Sequence, residues 1–297
     1  MIHYDRSKVP IPRPHWLKRR LPTGAAWEKT RALINKGQLH TICQEARCPN
    51  LWECFSQQTA AFLIMGSRCT RNCRFCAVSH GVPELVDPEE ASRVADAVQG
   101  MQLRYVVITS VTRDDLPDGG SRFFAETLQQ IRKKSPNSVV EVLIPDFQGS
   151  VVALRTIVDV HPDVLNHNIE TVERLYPSVR PGAVYRRSLE LLSWVRENDP
   201  TIFTKSGLML GLGELPEEIS ETLGDLLDAG CRILTLGQYL QPSGEQLPVK
   251  RFIHPEEFGT WREAALKMGF AEVASGPFVR SSYHARELYQ AFQVQPH

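Results

Sequence analysis

The sequence predicts an α/β fold, a partial (β/α)6 barrel of the TIM type with N- and C-terminal extensions, and two observations carry that prediction. Six apolar, β-rich runs alternate with amphipathic helical stretches, the order that builds a parallel sheet covered by helices. A cysteine-rich loop opens four residues after the first apolar run, at the strand end where barrels of this kind keep their chemistry.

The strands are expected at 60–65, 105–110, 139–144, 164–168, 203–210 and 233–237, each near-continuously apolar as a strand buried on both faces must be. Helices are expected between them at 88–100 after the cap-like Asp87, then at 121–134, 151–160, 186–198 and 217–229, with a sixth at 255–268. Right-handed crossovers let six such units curl into a partial barrel. The barrel is placed at 59–270, between an extension over 1–58 and another over 271–297. The first twenty residues, with Pro10, Pro12 and Pro14 ahead of Lys18, Arg19 and Arg20, lack apolar periodicity and read as an extended arm. No internal repeat or low-complexity segment interrupts the chain.

The 297 residues carry 34 Lys and Arg against 34 Asp and Glu. That balance argues against nucleic acid or a membrane surface as a partner held by net charge. No run approaches the ~18 apolar residues of a membrane span, and no secretory signal is evident, so a cytoplasmic location is expected. Six of the seven cysteines crowd between Cys43 and Cys76, while Cys231 stands alone and reads as a core residue. In a reducing compartment such crowding points to metal ligation in place of disulfides.

Cys69, Cys73 and Cys76 have C-x3-C-x2-C spacing, which lets one short loop give three thiolates to three irons of a 4Fe-4S cubane and leaves the fourth iron open. An open iron accepts a small chelate, such as the amine and carboxylate of S-adenosylmethionine (SAM), and an electron from the cluster would then cleave the sulfonium to a 5′-deoxyadenosyl radical. The same cysteines with His80 also suit a closed zinc site. Phe75 before the last cysteine favours the cluster: here the sequence resembles the radical SAM superfamily, in which that aromatic residue lies beside the adenine.

Upstream, Cys43, Cys48 and Cys54 follow C-x4-C-x5-C spacing, which suits either a second cluster or a zinc knuckle. Four separated blocks, CQEARCPNLWEC, MGSRCTRNCRFCAV, GLMLGLGE and GPFVRSSYHA, resemble the lipoyl synthase family over nearly the whole chain. The resemblance implies an auxiliary 4Fe-4S cluster on the upstream cysteines, its fourth iron bound by a serine of Arg280-Ser281-Ser282-Tyr283, here assigned to Ser282. It also implies a sulfurtransferase that inserts two sulfurs into the sixth and eighth carbons of a protein-bound N6-octanoyl-lysine, with the auxiliary cluster as donor and SAM as cosubstrate. Implied partners are octanoylated carriers (the lipoyl domains of 2-oxoacid dehydrogenases and the glycine cleavage H protein), a ferredoxin or flavodoxin, and an iron-sulfur carrier for cluster repair. The alternatives are another two-cluster radical SAM enzyme that inserts sulfur or methylthiolates, and a non-enzymatic protein with two structural metal sites.

Around SAM, Asp114 or Asp115 after the second strand is expected to accept from the amino group, or else to cap the following helix. Asn168 and Glu170 resemble the ribose-contacting position. The glycine-rich 207–214 suits close backbone approach to a ligand. Arg180, Arg186 and Arg187 are candidates to face an anion or solvent, and His161 and His167 read as structural.

Overall fold

The computed structural model describes residues 12–18, 25–56 and 60–293. The boundary expected at 58/59, the strongly basic end at Arg19 and Arg20, and Pro10 lie outside the described residues. Helix α1 (Ala25–Lys36) leads to a two-residue strand, β1 (His40–Thr41), and to two short helices, α2 (Ile42–Glu45) and α3 (Leu51–Ser56), that carry upstream cysteines. Thr41 caps α2, its hydroxyl accepting from the Gln44 N–H, a contact worth about 1 kcal/mol. Trp27 of α1 lies 4.1 Å from the Trp52 ring and 5.0 Å from Phe55, so α1 and α3 bury their aromatic faces against each other.

Next come β2 (Ala61–Ile64), the small strands β3 (Arg68–Cys69) and β4 (Ser79–His80), and α4 (Glu90–Gly100). Regular alternation follows: β5 (Tyr105–Ser110), α5 (Ser121–Lys134), β6 (Val139–Leu143), α6 (Val151–Val158), β7 (Val164–Asn166), the short α7 (Tyr176–Val179), α8 (Tyr185–Asn198), β8 (Phe203–Leu210), α9 (Pro216–Asp228), β9 (Ile233–Gln238) and α10 (Pro255–Met268). All six expected strands and six expected helices are present. The sheet runs β1-β2-β5-β6-β7-β8-β9-β10, parallel throughout except for β1, which is antiparallel to β2. Strands adjacent in sequence are adjacent in space, so every crossover steps the same way and the sheet curls.

Two features extend the expected six-unit array. A seventh parallel strand, β10 (Glu272–Gly276), pairs with β9 inside the segment assigned to the C-terminal extension. Helix α11 (Ala285–Gln293) then places Tyr289 5.8 Å from Tyr105 and Phe292 4.5 Å from Phe203. Tyr105 and Phe203 open β5 and β8, so α11 packs at the strands' N-terminal ends, and Ser282, Tyr283 and His284 before it already lie beside the 101–105 segment that leads into β5.

The strand layer is not wholly apolar. Lys205 of β8 and Glu141 of β6 are 1% and 0% exposed and meet at 2.9 Å. The Glu141 carboxylate also accepts from the Tyr105 hydroxyl at 2.5 Å and from Asn166 Nδ2 at 2.9 Å, so the buried charges are fully engaged.

Candidate active site

A cavity of about 500 Å³ reaches from the start of β2 at Ala60 and Ala61 to the loops that follow the strands. Both cysteine sets line it, together with Phe75, Asn168, Glu170 and Ser282. Parallel strands present their following loops at one end, where the Cys69–Cys76 loop sits, whereas antiparallel β1 runs toward the start of β2 and brings α2 and Cys43 to the cavity beside Ala60 and Ala61.

The loop after β2 is held from several sides. Cys69 Sγ accepts N–H groups from Arg71 at 3.4 Å and Thr112 at 3.3 Å, and Cys76 N–H bonds back to the Cys73 carbonyl at 3.0 Å. Arg71, between Cys69 and Cys73, reaches Asp114 at 2.6 and 2.9 Å and Asp146 at 2.6 Å. Arg187 meets Asp146 from the far side at 3.2 Å. Phe75 packs against the cluster of Val179, Leu212 and Tyr239, which gives the cavity an apolar wall.

Burial pushes the Cys76 thiol up to about 12, and burial with the neighbouring Cys48 does the same to Cys43. Burial raises Cys73 against the opposing charge of Arg180. Such thiols stay protonated at neutral pH until a metal displaces the proton, as cluster assembly does. All six are free of disulfides, so the donor chemistry fits two three-thiolate clusters. Among the described residues no three His, Cys, Asp or Glu side chains converge on one metal ion.

Asn168 spends both Nδ2 hydrogens on the protein, one on Glu170 Oε1 at 3.0 Å and one on Ser281 Oγ at 2.7 Å. Its Oδ1 is buried without a partner. A Cβ on Gly207 would lie 2.9 Å from that oxygen, so glycine is what permits this approach. Burial pushes the Glu170 carboxyl up despite Arg180 nearby. Ser281 is thus engaged on the Asn168 side. The Ser282 hydroxyl has no hydrogen-bond partner among the described residues and lines the cavity with Cys54.

Other expected residues lie elsewhere. The Asp114 carboxylate is taken up by Arg71 and does not line the cavity, while Asp115 is paired with Arg113 at 2.8 Å. Neither caps α5, whose first turn takes Asp118 instead. Arg180 donates to the Asn168 carbonyl at 2.9 Å, Arg187 serves Asp146, and Arg186 faces solvent. His167 is structural: its Nδ1 bonds the Ile144 carbonyl at 2.8 Å and its Nε2 the Ser188 hydroxyl at 2.9 Å. His161 bonds the Thr201 hydroxyl at 2.9 Å, and Cys231 is fully buried. Sequence reasoning missed Arg71, Asp146 and the Asn168–Ser281 bond; the position of Arg71 inside the cysteine loop was the available signal.

Known proteins divide into two tiers of similarity. The model of the radical SAM superfamily matches residues 63–226, and that of the N-terminal domain of lipoyl synthase of the radical SAM family matches residues 4–48. Among solved structures, methylornithine synthase superposes with TM-score 0.54 at 12% identity, covering 93% of each chain. Streptococcus suis SuiB bound to S-adenosylmethionine gives 0.55 at 11%, covering 83% of this chain and 61% of that one. These show the fold, and with the superfamily match over more than half of the chain they define the class: the protein belongs to the radical SAM superfamily. Lipoyl synthase of Desulfotalea psychrophila is 57% identical over 98% of both chains, and that of Rubrobacter xylanophilus 54% identical over 93% of this chain and 86% of the relative. Within the superfamily the chain belongs to the lipoyl synthases.

Proposed function

We propose that this chain converts a protein-bound N6-octanoyl-lysine into the lipoyl group, with Cys69, Cys73 and Cys76 holding the SAM-side cluster and Cys43, Cys48, Cys54 and Ser282 holding the auxiliary one. As a lipoyl synthase it is a radical SAM sulfurtransferase that uses two 4Fe-4S clusters. The observation that carries the site reading is the single cavity lined by both cysteine sets, since a carbon radical must form within reach of the sulfur that captures it. A cluster held by Cys69, Cys73 and Cys76 would supply the electron for reductive cleavage of SAM, the source of a primary carbon radical able to take hydrogen from an unactivated C–H bond.

The protein's own contribution is placement. Arg71, tied to Asp114 and Asp146, fixes the loop between Cys69 and Cys73, and Phe75 with the Tyr239 wall offers an apolar face for the adenine. Glu170, bracketed by Asn168, is the acceptor for ribose hydroxyls. The auxiliary cluster is a substrate, giving up two sulfurs per product, and a hydroxyl ligand at Ser282 is harder and more exchangeable than a thiolate. Octanoylated carrier proteins, a low-potential electron donor, a cluster-repair carrier and a cytoplasmic setting complete the proposal. No helix among the described residues is long and apolar enough to cross a membrane.

Cys73→Ala should abolish both 5′-deoxyadenosine release and sulfur insertion into an octanoylated lysine peptide. Cys48→Ala should retain part of the first and lose the second. Lipoyl product from the Cys48 variant at the parent rate would refute the sacrificial-cluster assignment.

A further inference from the structure

The upstream cysteines and the terminal serine come from opposite ends of the chain, and side chains lying among those cysteines hold the two together. Asn50, between Cys48 and Cys54 and 1% exposed, donates from Nδ2 to the Phe278 carbonyl at 2.7 Å. Glu53, the residue before Cys54, accepts at Oε1 from the hydroxyl of Tyr283, the residue after Ser282, at 2.9 Å. The His284 ring also faces this carboxylate, at 3.8 Å. On the other side, Ser281 accepts from Asn168. Ser282 is therefore flanked by two anchored neighbours.

We propose that Asn50, Glu53 and Tyr283 are positioning residues that set how long the Ser282 hydroxyl stays at the upstream cysteines, and so how readily the auxiliary cluster yields the iron held there. The inference rests on the two-cluster reading above. When Ser282 leaves together with its segment, motion at residue 283 breaks the Glu53–Tyr283 bond. Losing one such bond raises the open population about three- to tenfold. The cysteines themselves are untouched, so the cluster still assembles but loses its iron sooner.

The test follows iron capture by an excess of ferrous chelator from the anaerobically reconstituted full-length chain, without SAM or octanoyl substrate. A Cys69→Ala/Cys73→Ala/Cys76→Ala background isolates the auxiliary cluster. There Tyr283→Phe and Glu53→Ala should each speed iron loss about three- to tenfold. Glu53→Gln, which keeps an acceptor oxygen, should stay near the parent rate. Glu53→Ala with Tyr283→Phe should be no faster than Glu53→Ala alone, which already removes the Glu53–Tyr283 bond along with the His284 contact.

Iron loss at the parent rate in Tyr283→Phe, or additive effects in the pair, overturns the proposal. A reciprocal Cys43→Ala/Cys48→Ala/Cys54→Ala background checks for general loosening: equal acceleration by Tyr283→Phe there also overturns it. Iron content separates this failure from that of the underlying reading. A parent with about eight irons and an isolated upstream set with about four sustain the two-cluster site, whereas an upstream set that binds no cluster removes both.

Discussion

Arg71→Met keeps the length and apolar stem of the side chain and removes only the guanidinium that ties the cysteine loop to its neighbours. Asp146, 1% exposed, would then keep the Gln148 N–H at 3.1 Å and, as its one cation, Arg187, whose side chain is 28% exposed and sits 3.2 Å away. Two magnitudes bound the cost. Burial pushes the Asp146 carboxyl up, but the hydrogen bond and charge of Arg71 outweigh it and hold the group at about 2 against an ordinary 3.8. That gap is worth about 2.4 kcal/mol at 1.36 kcal/mol per pH unit. Removing one partner of a buried pair generally costs about 3–5 kcal/mol.

A loss of about 2–5 kcal/mol is therefore expected for Arg71→Met in urea unfolding of the iron-free protein at pH 7. Because the folded value is depressed, the Asp146 contribution is fully present above pH 3.8 and disappears as pH falls through about 2, so the difference should be flat between pH 5 and 7. Arg71→Lys should recover little, since an ammonium cannot fork between two carboxylates as a guanidinium does. With the loop released, 5′-deoxyadenosine formation should fall on the order of 100-fold, the cost of about 1 Å of misplacement. A variant that unfolds within about 1 kcal/mol of the parent and cleaves SAM at the parent rate would refute this account of the loop.

Three further outcomes follow from buried groups and close approaches. Burial holds His167 at about 4 against an ordinary 6.5, so the unfolded chain binds a proton that the folded one refuses. Stability present above pH 6.5 should fall by about 3.4 kcal/mol between 6.5 and 4, and His167→Gln should flatten that profile in urea unfolding; an unchanged slope counts against it. A Cβ at Gly237 would stand 2.2 Å from the Val279 carbonyl, so Gly237→Ala should displace the segment before Ser282 and end lipoyl formation while sparing SAM cleavage. Equal loss of both reactions would contradict that division. Lys205→Met strips the buried Glu141 of its cation and should cost about 3–5 kcal/mol, a drop of roughly 5–10 °C in Tm. A melt indistinguishable from the parent would show that Tyr105 and Asn166 suffice to hold Glu141.

What could be read from the sequence depended on whether its cause was local. The run at 105–110 coincides with β5 because a strand buried on both faces is largely apolar, and 203–210 coincides with β8 although Thr204, Lys205, Ser206 and Gly207 interrupt its apolar residues. α5 and α10 match their expected bounds because the amphipathic period persists to both ends. β10 escaped notice: Glu272–Gly276 offers Val273 and Ala274 as its only apolar residues and is largely half-buried. Lys205 lies in a strand that read as apolar, and its partner is 64 residues away. Cysteine spacing is local and legible, whereas Ser282 entered by family resemblance alone.

The Arg71 network shows why the remainder of the site was hidden, and where its signal lay. Its partners stand 43 and 75 residues from Arg71, steps of 43 and then 32, each about one strand-helix unit. In a sheet whose strands are ordered as in sequence, one such unit separates side chains that meet at the strand ends. No helical or strand period can reveal the contact. A charged residue within the first few positions after each strand can, because those positions share one end of the sheet. Asp114, Asp146 and Glu170 lie three or four positions after β5, β6 and β7, and Arg71 lies seven after β2, just past β3; three of the four form the network while the fourth lines the cavity. Read together as one layer, they mark both the anchor of the cysteine loop and the carboxyl that lines the cavity beside it.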